Sequence, residues 1–164
     1  MRATGWITFV LLVAGMPAAA SAQTSVKHVI SLEAAKKIAE APEAEAAKRG
    51  STVVIVVVDD GGYPILLYRL NDTQVASVEV GIGKARTAAI FRRPSKVFED
   101  QVRNGRVAAL GLPGATPLQG GVPLEFEGQV IGAIGVSGNT PQEDEEIAMA
   151  GAAVAEEALA GEKP

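Results

Sequence analysis

Few residues in this 164-residue chain can do chemistry, and that scarcity narrows the function before any element is placed. His28 is the one imidazole, and there is no cysteine. A multi-histidine zinc site, a thiolate site and a disulfide are therefore excluded. A Ser-His-Asp triad would have to recruit His28, which stands near the expected mature N-terminus and reads as an exposed tail residue. It becomes an axial metal ligand only if that tail folds back. Tyr63 and Tyr68 carry phenol oxygens able to ligate ferric iron. Tyrosines in strands also serve as amphipathic residues at the edge of a core.

Gly81-Ile82-Gly83-Lys84 hints at a phosphate loop. A P-loop needs a glycine five residues before the Gly-Lys pair and a hydroxyl after it. Val78 and Ala85 occupy those places, so the reading fails, and the glycines instead suit close helix packing. Lys84 and Arg86 fall off the apolar stripe of their helix. They are either two solvated cations or a cationic rim for a carboxylate or propionate. Glu143 to Glu146 is either a surface site for a hard cation or a helix start whose acids favour the positive end of the dipole.

The elements that must position these groups follow from pattern. Ser31 can cap a helix from Leu32 to about Arg49, with Gly50 as its stop. Pro42 should kink that helix or divide it in two, because an interior proline removes a hydrogen bond and clashes with the preceding turn. Val53 to Val58 is an unbroken β-branched run, which predicts a strand buried on both faces and central in its sheet. Asp59-Asp60-Gly61-Gly62 turns the chain into a returning strand from Tyr63 to Leu70. Pro64 sits near its start, where a missing N–H is tolerated.

Val78, Ile82, Ala85 and Ala89 form one face of a helix from about Val75 to Arg92. Ser95 is expected to cap a short helix to Arg103. Arg106 to Gly121 reads as an irregular loop with one short strand. Val122 to Phe126 and Gln129 to Val136 form a hairpin about Glu127-Gly128. Thr140, Pro141 and Glu143 give the last helix an N-cap, a first-turn proline and a capping box. Ile147, Gly151, Val154 and Ala158 form its inner stripe. The order predicts a single α+β domain over residues 31–160, an antiparallel sheet of about five strands covered by helices.

Residues 1–22 read as a signal peptide. Arg2 precedes an apolar run from Trp6 to Met16, and Ala20-Ser21-Ala22 is a small-residue cleavage site before Gln23. The run is short of the ~20 residues that span a bilayer. The expected mature chain has a tail over residues 23–30, is periplasmic or secreted, and does not insert in a membrane. The whole chain has 15 basic and 19 acidic residues. Loss of Arg2 makes the mature chain one charge more negative, which disfavours nucleic-acid binding.

Four segments resemble the GlcG/HbpS-like family of haem-binding, or haem-degrading, domains. They are Val56-Val57-Val58-Asp59-Asp60-Gly61-Gly62, Gly83-Lys84-Ala85-Arg86-Thr87-Ala88, Gly120-Gly121-Val122-Pro123, and Gly132-Ala133-Ile134-Gly135-Val136-Ser137-Gly138. Thr140-Pro141-Gln142-Glu143 continues the match, which spans roughly Ser31 to Leu159. The resemblance implies an antiparallel sheet between helices, homo-oligomers and, in some members, haem or iron. It also implies a threonine near the iron, as in one exported haem-binding relative. Thr116 is the matching residue here, before Gly120 and Gly121.

Three functions follow as expectations. The first is an exported binder of haem or a related tetrapyrrole. Its pocket is lined by Leu110, Leu112, Pro113, Thr116 and Leu118, with Lys84 or Arg86 at the propionates and Thr116 at the iron. The second is a binder or enzyme for a small organic acid, met by the same cations. The third is a structural or signalling oligomer without ligand.

Overall fold

The computed structural model describes residues 26–161. The expected signal peptide and the first residues of the tail lie outside them. Four helices and one sheet follow in the order α1 (Leu32–Arg49), β1 (Val54–Asp59), β2 (Pro64–Arg69), α2 (Ser77–Phe91), α3 (Lys96–Arg103), β3 (Gly121–Phe126), β4 (Gln129–Ser137) and α4 (Pro141–Ala160). The sheet is antiparallel with strand order β2-β1-β4-β3. It has four strands, where the sequence suggested about five. The loop expected to hold the fifth contains a 3-10 turn, Val107–Gly111, instead.

β1 is central because every side chain from Val53 to Val58 has an apolar layer to enter. Val53, Ile55 and Val57 face a core built by α1 and α4. Val54, Val56 and Val58 face a second core against α2. On that second face Ala85, Ala88 and Ala89 are buried, with Val78 and Ile82 packed beside them. The helix stripe read from spacing is therefore the face α2 presents to the sheet. The closeness of the two layers rests on Gly135. A Cβ there would lie 2.4 Å from the Gly81 carbonyl oxygen.

α1 runs unbroken through Pro42, so the expected division does not occur. The proline lacks the N–H that would bond the Ile38 carbonyl one turn earlier. Gly151 of α4 sits against that carbonyl, where a Cβ would come within 3.2 Å. The backbone of the neighbouring helix thus covers the gap, with room for a weak Cα–H contact to the freed oxygen. Pro42 itself is buried between the helices.

The ends of α4 and of the second hairpin match the sequence reading. Thr140 Oγ1 accepts from the Glu143 N–H, and Glu143 Oε2 accepts from the Thr140 N–H, completing the capping box. Glu127 and Gly128 both have positive φ, 50° and 74°, as a two-residue primed turn requires. Within α4, Ile147, Gly151 and Ala158 face inward, while Val154 is half exposed and Ala155 is buried instead. Ser95 departs from expectation. Its backbone is helical and its side chain makes no cap bond, because the hydroxyl fastens a loop described below.

Candidate functional site

Two polar regions stand out, one closed and one open. The closed region lies where α2 meets the loop before β3 and the start of α4. Lys84 is 3% exposed. Its Nζ donates to Asp144 Oδ2 at 2.7 Å and to the Val136 carbonyl at 3.0 Å. Asp144 is equally buried and also accepts from the Asn139 N–H at 3.0 Å. Burial pushes the Asp144 carboxyl above its ordinary range, and the Lys84 ammonium pulls against that shift.

The chain crosses this pair on two glycines. A Cβ at Gly121 would sit 2.1 Å from the Lys84 carbonyl oxygen, and one at Gly120 would be 3.0 Å from Lys84 Nζ. Ser95 locks the crossing. Its hydroxyl donates to the Leu118 carbonyl at 2.6 Å and accepts from the Gly121 N–H at 2.8 Å. Thr87 does the same one turn along, donating to the Gly83 carbonyl and accepting from the Thr116 N–H, each at 2.7 Å. Gln119 ties the loop to Glu99 through its backbone and to Glu145 through its side chain.

Lys84, Thr116, Gly120 and Gly121, singled out from sequence, are therefore neighbours along one seam. The structure corrects what Lys84 does there. Its charge is spent inside the protein on Asp144, so it forms no cationic rim. Its place off the apolar stripe misled, because the third partner, α4, arrives from far along the chain. Gly120 and Gly121 serve the close crossing. The Thr116 side chain is turned onto α2, where a Cβ at Gly83 would fall 2.3 Å from its Oγ1. Arg86 stands apart, its Nε donating to the Gly62 carbonyl at 3.2 Å in the β1–β2 turn.

Of the expected pocket wall, Leu110 and Leu118 are exposed, together with Val107. The acidic start of α4 is consumed by pairing. Asp144 holds Lys84, Glu145 holds Gln119 and Glu146 meets Arg49. Among the described residues no group of three or more acidic, histidine or cysteine side chains is placed to hold a metal ion. Tyr63 is exposed, and Tyr68 packs at the margin of the larger core.

The open region was not expected. The tail does fold back: Ile30 is buried in the larger core, and Lys27 Nζ lies 2.8 Å from Asp60 Oδ1. Between these anchors His28 meets the ring of Phe126 edge-on, with centroids 5.1 Å apart. Its Nε2 is 3.4 Å from Glu127 Oε2. His28 lines a cleft of about 420 Å³ beside the β3–β4 turn, whose other walls include Lys27, Asp60, Arg92, Val130 and Ile131. Arg92 is the left-handed cap of α2, with φ 53°. It is exposed, and its guanidinium makes no ion pair among the described residues. The sequence signal was present in the lone imidazole and in Asp60, but their approach depends on the tail lying against the turns of both hairpins. A second groove, of about 500 Å³ between α1 and α4, carries only charged and small aliphatic groups, such as Lys37, Glu157 and Val154. No helix among the described residues is long and apolar enough to cross a membrane.

Comparison with known proteins places this architecture. GlcG of Escherichia coli K12 is 44% identical over 111 residues, covering 68% of this chain and 83% of GlcG. The crystal structure of a double mutant of HbpS from Streptomyces reticuli superposes with a TM-score of 0.75 at 31% identity, covering 86% of this chain and 97% of that one. The PduOC domain, crystallised as a complex with heme, gives a TM-score of 0.70 at 25% identity, covering 77% of this chain and 94% of that one. Residues 30–153 match the model of the family described as haem degrading protein HbpS-like. With its four-stranded antiparallel sheet between helices and this match over most of its length, the chain belongs to the HbpS-like family.

Proposed function

We propose that this protein is an exported, homo-oligomeric binder of haem or a related tetrapyrrole. The observation that carries the reading is the shared fold and sequence with PduOC, whose crystal structure holds heme. This chain adds physical support. Its surface carries exposed aliphatic side chains, Val107, Leu110 and Leu118, and an exposed guanidinium at Arg92. A tetrapyrrole needs both, an apolar face and a partner for its propionates. The same aliphatic side chains and the small residues of the outer helices favour contacts between copies. Export rests on the leader read from residues 1–22.

With no cysteine and one histidine, iron would be held by His28, a phenol, a hydroxyl, water or a group shared between copies. Bis-histidine ligation within one chain is excluded. Haemin titration with absorbance detection tests the function. A saturable Soret band with one site per chain supports it, and a spectrum of free haemin throughout overturns it.

A second reading, binding of a small organic acid, is favoured by the Arg92 guanidinium, which lines its cleft with no ion pair among the described residues. Thermal shift against a carboxylate panel tests that reading independently of haem.

A further inference from the structure

We propose that the cleft beside the β3–β4 turn binds a polyhydroxylated carboxylate of the size of a sugar acid, with Arg92 on the carboxylate and Asp60, His28 and Gln129 on the hydroxyls. The inference rests on the small-acid reading above and names its ligand class.

The size and lining of the cleft select a polar body. Its volume, about 420 Å³, lies within the range of small-molecule clefts, roughly 300–1,000 Å³. A short-chain acid would leave much of that space to water. Lys27, His28, Asp60, Arg92 and Gln129 all bring polar side chains to it. Of its aliphatic lining, Ile131 is 4% exposed and belongs to the core, which leaves Val26 and Val130. An alkyl or aromatic body would strip water from the polar groups and give nothing back, which costs free energy. Hydroxyls replace that water, because each is donor and acceptor at once.

The charges in the cleft select one carboxylate. Lys27 Nζ lies 2.8 Å from Asp60 Oδ1, so those two cancel. Arg92 is exposed, and its guanidinium makes no ion pair among the described residues. Its planar fork of N–H donors matches a carboxylate. Arg92 also occupies a left-handed position, φ 53°, that glycine fills more easily, so the guanidinium is kept there against a backbone cost. The remaining groups keep capacity for hydroxyls. A bond between Lys27 and Asp60 uses one of three ammonium donors and one of about four carboxylate lone-pair sites. The Gln129 amide adds donor and acceptor together. His28 adds its ring nitrogens, with the ring set edge-on against Phe126. The tail that carries Lys27 and His28 is anchored by Ile30, buried in the larger core.

The test is calorimetric titration of the purified chain with D-glucuronate and D-gluconate. Hexanoate, which keeps the carboxylate without the hydroxyls, and D-glucose, which keeps the hydroxyls without the carboxylate, are the controls. Both sugar acids should bind, and both controls should bind at least about tenfold more weakly. Arg92→Gly relaxes the backbone, so it should keep the wild-type circular dichroism and melt while weakening glucuronate binding about tenfold or more, as loss of a charge-assisted hydrogen bond does. Gln129→Ala should weaken glucuronate about fivefold and leave hexanoate unchanged. Hexanoate, or another simple carboxylate, binding as tightly as the sugar acids overturns this ligand class while the small-acid reading stands. Glucose binding as tightly as glucuronate removes the carboxylate from the argument and overturns it too. Undiminished glucuronate binding by folded Arg92→Gly overturns the site. Absence of binding by every carboxylate overturns the small-acid reading, and this inference with it.

Discussion

The seam around Lys84 and the cleft around His28 are both polar, and both gather residues from distant parts of the chain. They differ in whether their polar groups are satisfied. In the seam each charge or hydroxyl has a partner: Lys84 with Asp144, Ser95 with Leu118 and Gly121, Thr87 with Gly83 and Thr116. In the cleft the imidazole is half exposed, and the Arg92 guanidinium has no ion pair among the described residues. A buried polar group without a partner costs the fold several kcal/mol, so the interior must close its network. A surface cleft carries no such penalty and can leave donors open for a ligand. The difference teaches that residues of a shared motif can also be held by the fold: Lys84 pairs with Asp144, and Gly120 and Gly121 allow the close crossing.

The comparison breaks most readily at Lys84. Lys84→Ala leaves a buried, unpaired Asp144 and should cost about 3–5 kcal/mol in urea denaturation. Lys84→Met combined with Asp144→Leu should recover most of that loss, since removing both charges removes the desolvation penalty. If Lys84→Ala keeps full stability and instead loses ligand, the seam is the site. Thr140→Ala, at the head of the helix that supplies Asp144, should cost about 1 kcal/mol with ligand binding unchanged. An unmoved denaturation midpoint would show that the cap contributes nothing.

Arg92→Gly sharpens the other side. It relieves a left-handed backbone and should raise stability by about 0.5–1 kcal/mol while weakening ligand binding. A gain in stability without loss of binding would return Arg92 to a plain surface role. The smallest effect concerns pH. The hydrogen bonds from Thr140 hold the Glu143 carboxyl below its ordinary range. Its contribution is therefore present above the unfolded carboxyl's pKa and fades as pH falls through the lowered one. The difference in melting temperature between wild type and Glu143→Gln should shrink toward zero on that descent.

Periodicity and termination signals made most of the elements legible. The β-branched run of β1, the α2 stripe, the Glu127-Gly128 turn and the Thr140 capping box all depend on neighbours within a few residues. They appear in the fold as read. The misses share one cause. Ser95 has the residue type of a helix cap, but its hydroxyl is drawn to Leu118 and Gly121, more than twenty residues away. Pro42 should kink or divide its helix; the helix is undivided, and the backbone of Gly151 lies against the carbonyl the proline frees. The expected fifth strand does not form, and its segment closes as a 3-10 turn.

The sequence by itself determined the element order, the central place of β1, the absence of thiols and of a second histidine in the chain, and the family. Those properties are local or compositional, so no other part of the chain can alter them. Only the tertiary structure decided which cations are free. Lys84 and Arg92 lie on one helix or at its end and look alike in sequence. α4 brings Asp144 to the first, and among the described residues no acidic side chain pairs with the second. The folding back of His28 onto Phe126 was likewise settled by burial of Ile30, a contact between the tail and the sheet that no spacing rule encodes. Pairing over such distances depends on how helices stack on a twisted sheet, and a one-dimensional pattern carries no term for it.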